Sequence, residues 1–422
     1  MRGAAGGANL LALRSHNTAL VLDLLRTAGG AGISRLELAE RTGLTPQAVS
    51  KITARLRGEG LAAEAGRRAS TGGKPRTVLR LVPGAGHALG VHLDRDELRA
   101  VLVDLDGTVV AERRAPLDLG AGAETVLEMV ARAAEELAAE GLGHLVAEGA
   151  RVPGAALAAA PTLLGLGVAL PGPLDHVRGV LHRITGFPGW DGYPLREALE
   201  RRLGVPVVVD KDTNAAALGL AVGGAGAEEG SKAGGEEGSG AGVEAGGVGA
   251  EEGSAGVEAA GAGARGGSFA YLHLGTGLGA GLVFGGGVHR GARTGAGEFG
   301  HQVVQLDGPP CTCGARGCIE ALCLAAVARG DLAEAARVLG TGAANLAGLL
   351  DIDLVLLGGR TVAAAPEAFV HGVGAVLDAR ARREGGHDGP VPVRLAPAGT
   401  RGVAEGAAQL LLAPLFGRGE GG

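Results

Sequence analysis

Aromatic residues are scarce in this chain, 2% of 422 residues, and Trp190 is the single tryptophan. Cysteine is scarcer: there are 4, and three of them fall between positions 311 and 318, a spacing too tight for ordinary disulfide bridging. No run approaches the roughly eighteen uninterrupted apolar residues of a membrane span, and no charged, apolar, cleavable segment opens the chain. Neither a spanning helix nor a signal peptide is therefore expected, and a cytoplasmic location, where thiols stay reduced, is the corresponding expectation. Glycine is in excess, at 81 residues. Hydrophobic residues still make up 46%, enough for sizeable cores, and the length points to two or three domains rather than one.

The formal net charge of −6 hides an uneven distribution. Residues 1–83 hold 13 Lys and Arg against 5 Asp and Glu, a balance of +8 that leaves −14 for the remainder. A basic module joined to an acidic body is expected, and the usual partner of a basic module is nucleic acid.

Within residues 1–83, Leu20, Val21, Leu24 and Leu25 recur at helical spacing from about His16 to Thr27, and Gly29, Gly30 and Gly32 break the pattern. Ser34 followed by Glu37 forms a capping box for a short helix over 35–41, with Leu36 and Leu38 read as inward-facing. Gly43 is the turn, Thr45 caps the next helix and Pro46 suits its first position, with Val49, Ile52 and Leu56 toward the core. Gln47, Ser50, Lys51 and Arg55 fall off that apolar face, free to reach base edges and phosphates in a major groove. Two strands joined by a basic, glycine-containing turn follow, with Arg67, Arg68, Lys74 and Arg76 placed like a wing over phosphates. The spacing predicts a winged helix-turn-helix that binds operator DNA.

The stretch GEFGHQVVQLDGPPCTCGARGCIE, residues 297–320, offers His301, Cys311, Cys313 and Cys318, the ligand set of a closed tetrahedral zinc site. Gly314 and Gly317 between the thiols allow the positive φ that a tight knuckle demands. Cys323, one turn beyond, reads as a buried small apolar residue.

GEFGH followed by CTCGARGCIE resembles the signature of the ROK family, which contains sugar kinases and sugar-responsive transcriptional repressors. The resemblance implies an α/β, two-lobed actin-like ATPase (ribonuclease H-like) fold for residues 84–422. By matching positions it implies sugar contacts from Glu298, His301 and Glu320, with His301 also holding zinc. The two roles are compatible, because imidazole gives one nitrogen to the metal and keeps the other for a hydroxyl.

HALGVHLDRDELRAVLVDLDGTVV resembles the opening hairpin of that fold. Where the family's kinases carry an Asp, any residue, two glycines and Thr, this chain has His92, Leu93, Asp94, Arg95 and Asp96. Both glycines are gone and two carboxylates stand where anionic phosphate oxygens would sit, with only Arg95 to compensate, so transfer of phosphate from ATP is expected to be lost. GTGLGAG, at 275–281, resembles the family's second phosphate loop. In KDTNAAALGL, Asp212 and Asn214 match family positions, Asp212 being the general base of the kinases, while Lys211 stands where Asn is common. If ATP binding is lost, Asp212 is read as a hydrogen-bond acceptor for ligand. Trp190 is read as a packing anchor.

Residues 222–267 repeat AEEGS and GEEGS with almost no large apolar side chains, and read as a disordered acidic insertion. Three functions were compatible with these residues. The first, and the one favoured, is a repressor whose effector is a sugar or derivative, assembled as a homodimer or homotetramer. The others are an ATP-dependent, glucokinase-like sugar kinase with an added DNA-binding domain, and a zinc-stabilised DNA-binding scaffold without a ligand.

Overall fold

The computed structural model describes residues 16–68, 76–142, 162–184, 186–223, 267–385, 389–397 and 399–418. Nearly all of the acidic repeat segment, and Lys74, lie outside the described residues.

The amino-terminal module contains α1 (His16–Thr27), β1 (Ile33–Ser34), α2 (Arg35–Thr42), α3 (Pro46–Gly58), β2 (Ala62–Arg68) and β3 (Arg76–Leu81). Its strands form an antiparallel sheet in the order β1-β3-β2. The helix starts follow from local chemistry. Ser34 Oγ accepts from the Glu37 amide at 3.3 Å while Glu37 Oε2 accepts from the Ser34 amide at 2.8 Å. Thr45 Oγ1 likewise accepts from the Ala48 amide at 3.2 Å, with Pro46 at the first helical position. Leu38 is fully buried, but Leu36 is 42% exposed and not inward as its apolar character suggested. Two residues along a helix turn about 200°, so positions 36 and 38 cannot share a face, and Ala39 takes the inward place instead.

The first lobe of the body contains β4 (His87–Leu93), β5 (Glu97–Asp104), β6 (Val109–Pro116), α4 (Ala123–Gly141) and β7 (Leu163–Leu170). A short ribbon of β8 (Leu174–Asp175) and β9 (Val180–Leu181), then α5 (Leu195–Leu203), β10 (Val207–Lys211) and α6 (Asp212–Val222) complete it. The second lobe contains β11 (Phe269–Leu274), β12 (Leu278–Phe284), β13 (Gly287–Val288), α7 (Ile319–Ala328) and α8 (Leu332–Leu350). It continues with β14 (Leu354–Gly358), α9 (Arg360–Ala364), α10 (Pro366–Glu384) and β15 (Val393–Leu395), and α11 (Gly402–Leu412) follows.

The two lobes repeat one plan. Sheet order is β6-β5-β4-β7-β10 in the first and β13-β12-β11-β14-β15 in the second. In each, three antiparallel strands are followed by two added in parallel. The inner faces are joined by two helices, α11 on the first sheet and α6 on the second, packed against each other. That packing depends on glycine where helix backbone meets strand backbone. At Gly167 a methyl group would overlap the Ala407 carbonyl, and at Gly90 the Ala404 carbonyl. Gly167→Ala is therefore expected to destabilise by about 3 kcal/mol, the upper end for overpacking, since backbone cannot yield as a side chain does, and a urea midpoint unchanged from the parent's would refute this.

The module is not a loose appendage. Val21, Leu25, Leu56 and Leu79 share one core with Val101 and Val103 of β5, with Leu105 just after it, and with Leu412, Leu415 and Phe416. Arg26 closes the seam, donating to the Asp106 carbonyl at 3.0 Å and lying 4.7 Å from the Phe416 ring centroid. Arg418 pairs with Asp23 at 2.8 Å.

Candidate functional site

Between the lobes lies a cleft floored by the ends of the central strands. Asp94 and Arg95 come from the β4–β5 turn, Lys211 and Asp212 from the junction of β10 with α6, and Thr276 and Gly277 from the β11–β12 turn. Glu298, His301 and Glu320 enter from the loop around α7. All four sequence-predicted ligand residues, Asp212, Glu298, His301 and Glu320, thus line one cavity.

Each carboxylate is held differently. Asp212 is the first residue of α6 and accepts from the Thr213 amide at 2.6 Å. Glu320 is 8% exposed, and its Oε2 accepts from the Leu278 amide at 2.9 Å, tying α7 to the second hairpin. Glu298 is exposed but forms an ion pair at 3.2 Å with Lys211, which is 3% exposed and also donates to the Ala296 carbonyl. Lys211 therefore spans the lobes, a role that spacing alone did not reveal. The visible signal was a lysine at the end of an otherwise apolar strand, where a cation needs a fixed partner.

His301, Cys311, Cys313 and Cys318 place their donor atoms within 4.8 Å of one another. A tetrahedral ion with metal–sulfur bonds of about 2.3 Å sets neighbouring sulfurs about 3.8 Å apart. Cys313 Sγ lies 3.7 Å from Cys318 Sγ, and Cys311 Sγ 3.8 Å from His301 Nδ1, so the donor set fits such an ion. Gly314 and Gly317 carry φ of 96° and 65°, and a side chain at Gly317 would collide with the Gln305 carbonyl. Burial, together with the neighbouring thiols, pushes the Cys318 thiol up to about 12, so metal must displace a tightly held proton there. Cys323 stays apart, fully buried, with its sulfur toward the Ala335 carbonyl.

The turn between β4 and β5 is locked from the other lobe. Thr276 Oγ1 donates to Asp94 Oδ1 at 2.8 Å. Arg360, at the start of α9, holds Asp96 through both terminal nitrogens at 3.0 and 2.8 Å and approaches Asp94 at 3.4 Å. Burial opposes ionisation of Asp94, yet His92, the Arg95 amide, Thr276 and Arg360 together hold its carboxyl below the ordinary value. His92 itself is buried with no partner for Nε2 among the described residues, and burial lowers its pKa. Further cross-lobe contacts join Arg290 to Asp210 at 2.7 Å and His176 to Thr294 at 2.8 Å.

On the amino-terminal module, Gln47, Ser50 and Lys51 are exposed on α3. Arg55 is exposed too, but its guanidinium donates to Thr18 Oγ1 at 2.6 Å, bracing α3 against α1. Arg67 and Arg76 are exposed, and the backbone of Arg68 pairs with that of Arg76 at the open end of the hairpin. Trp190 is buried, with its indole N–H donated to the Leu119 carbonyl at 2.9 Å, the packing anchor its sequence suggested. No helix of the described residues is long and apolar enough to cross a membrane.

The chain is similar to the xylose repressor of Bacillus subtilis (strain 168), 25% identical over 288 residues, 68% of this chain and 61% of that protein. It is also similar to the DNA-binding transcriptional dual regulator NagC of Escherichia coli (strain K12), 27% identical over 320 residues, 76% of this chain and 65% of that protein. The chain thus spans less than two thirds of the length of either relative. Among solved structures, a ROK hexokinase from Thermus thermophilus is 28% identical with a TM-score of 0.51, covering 76% of this chain and 96% of that one. A ROK family transcriptional regulator, homolog of the E. coli MLC protein, superposes with a TM-score of 0.66 over 95% of this chain and 97% of that one. At 19% identity that likeness concerns the fold, an actin-like ATPase architecture preceded by a further module. The ROK family description matches residues 88–258 and 252–326, more than half of the sequence, and the chain belongs to the ROK family.

Proposed function

We propose that this chain is a sugar-responsive transcriptional repressor. Residues 1–83 form a winged helix-turn-helix for operator DNA, and residues 84–422 bind a sugar or sugar derivative in the interlobe cleft. The observation that carries the reading is the convergence of Asp212, Glu298, His301 and Glu320 on one cavity, beside a four-donor metal cluster that shares His301. The three carboxylates accept from the hydroxyls of a carbohydrate, and the imidazole, with one nitrogen on the metal, donates to them from the other. The metal is zinc, held by His301, Cys311, Cys313 and Cys318, and when bound it fixes the loop that carries these groups.

Phosphoryl transfer is disfavoured by the same cleft. The hairpin that would need bare backbone to approach phosphate instead presents Asp94, whose carboxylate is taken up by Thr276 and Arg360. Asp212 then serves as acceptor rather than base. On the module, Gln47 and Ser50 face base edges in the major groove, and Lys51, Arg55, Arg67, Arg68, Lys74 and Arg76 supply phosphate contacts. Because the module shares a core with the first lobe, a sugar that draws the second lobe closer changes the spacing of the two modules in a homodimer or homotetramer.

The test is to select genomic fragments with the purified protein and titrate sugars against the complex. An effector present at one hundred times its Kd is expected to stabilise the protein by about 2.7 kcal/mol in thermal unfolding and to release the fragment. Turnover of ATP with a hexose, lost in Asp212→Asn, would establish the kinase instead. Zinc-replete protein that binds DNA but responds to no sugar or sugar phosphate would leave only a scaffold.

A further inference from the structure

Two cationic side chains line the cleft, and they differ in what they hold. Lys211 is consumed by Ala296 and Glu298. The guanidinium of Arg95 has no hydrogen-bond acceptor among the described residues. Its central carbon lies 5.9 Å from the Phe187 ring centroid, a contact that orients the group without using its N–H donors. On the far side, Nη2 comes within 3.8 Å of the point where a side chain at Gly277 would begin, so the guanidinium faces the second hairpin across the cavity.

The obvious partners for Arg95 are its sequence neighbours, and both are already engaged. Arg360 takes Asp96 with two hydrogen bonds and approaches Asp94, while Thr276 donates to Asp94. A cation from the opposite lobe therefore engages the two carboxylates that would otherwise pair with Arg95. What remains is a fork of donors, half-enclosed, matched in geometry to an oxyanion.

We propose that Arg95 is the specificity-determining residue of the cleft and that the effector is a sugar bearing an anionic group, a phosphate or a carboxylate, which Arg95 holds. Arg360 is a positioning residue that keeps Arg95 available. The proposal rests on the sugar reading of the same cavity, and the experiment separates the two. Calorimetry on the full zinc-loaded chain would compare glucose, glucose 6-phosphate and glucuronate, and N-acetylglucosamine with its 6-phosphate. At least one charged sugar is expected to bind about tenfold or more tighter than its neutral parent, as a charge-assisted contact provides. Which of the phosphate and the uronate is preferred identifies the anion. Arg95→Gln should erase that advantage while leaving the Kd of the neutral parent within about threefold, and Arg95→Lys should restore part of it as a point charge. Arg360→Gln, by releasing Asp94 and Asp96 toward Arg95, should reduce the advantage without any contact to the ligand. Neutral sugars that bind as tightly as their charged forms would overturn the proposal while leaving the sugar reading standing. So would a charged-sugar preference that survives Arg95→Gln. Absence of binding by every sugar, charged or neutral, would remove the sugar reading and the proposal together.

Discussion

Replacing Cys318 by serine is expected to lower effector affinity by about 10- to 100-fold and to release one zinc per chain. Cys318 is fully buried and sits at the cap of α7, immediately before Ile319 and Glu320. Main-chain bonds shape the loop behind it, among them Val304 to the Gly317 carbonyl at 2.9 Å, Cys311 to the Ala315 carbonyl at 2.8 Å, Gly317 to the Pro309 carbonyl at 2.8 Å and Ile319 to the Gln302 carbonyl at 2.9 Å, and the ion ties their turns to one point. Without the ion, three thiols and an imidazole within 4.8 Å of one another keep only weak sulfur contacts, so the loop loses the strongest restraint that aims both His301 and Glu320 into the cleft. Operator affinity in the absence of sugar should stay within about threefold, because the core of the module is built from the first lobe and the end of the chain rather than from this loop. Metal content by mass spectrometry, with calorimetry and DNA binding on the same preparation, checks all three. A zinc-free protein that remains folded and fully responsive to sugar would refute the role given to the cluster.

How much of this was legible beforehand follows from the range of each interaction. The helices of the module were readable almost to the residue, because Ser34 with Glu37, and Thr45 with Pro46, are contacts spanning three positions or fewer. The metal cluster was readable for the same reason, its donors lying between 301 and 318 with glycines where the chain turns back. Its convergence with Asp212 came from resemblance rather than spacing. The lock on the β4–β5 turn was not legible at all: Arg360 and Asp96 are 264 positions apart and meet only because the two lobes face each other. Lys211 with Glu298, 87 positions apart, is hidden likewise. Sequence showed that Asp94 and Asp96 replaced glycine and threonine, but not that a cation from the other lobe engages both and leaves the Arg95 guanidinium without a hydrogen-bond acceptor among the described residues. The misplacement of Leu36 has a different origin, since apolar character was taken for orientation in a helix of 8 residues, too short for the period to declare itself.

The double substitution Gln47→Ala with Lys51→Ala is expected to weaken binding to the selected operator by about 100-fold and to flatten its discrimination against unrelated DNA. Both residues are exposed on α3, whose opposite face is anchored by Val49, Thr53 and Leu56, so the helix itself should survive. A glutamine that reads an adenine edge is worth about 1–3 kcal/mol against the wrong base, and loss of that contact accounts for the flattened discrimination. Lys51 contributes differently: a phosphate contact raises affinity for every sequence alike, and its removal should shift the slope of log affinity against log salt by about one. The two effects separate in the single variants, Gln47→Ala altering specificity at constant salt slope and Lys51→Ala altering the slope at constant specificity. Arg55→Ala is the instructive contrast. Its guanidinium is bonded to Thr18, so its loss should appear partly as a lower unfolding midpoint of the module, even with no DNA present. Unchanged operator affinity and an unchanged salt slope in the double variant would move the DNA-reading surface off α3.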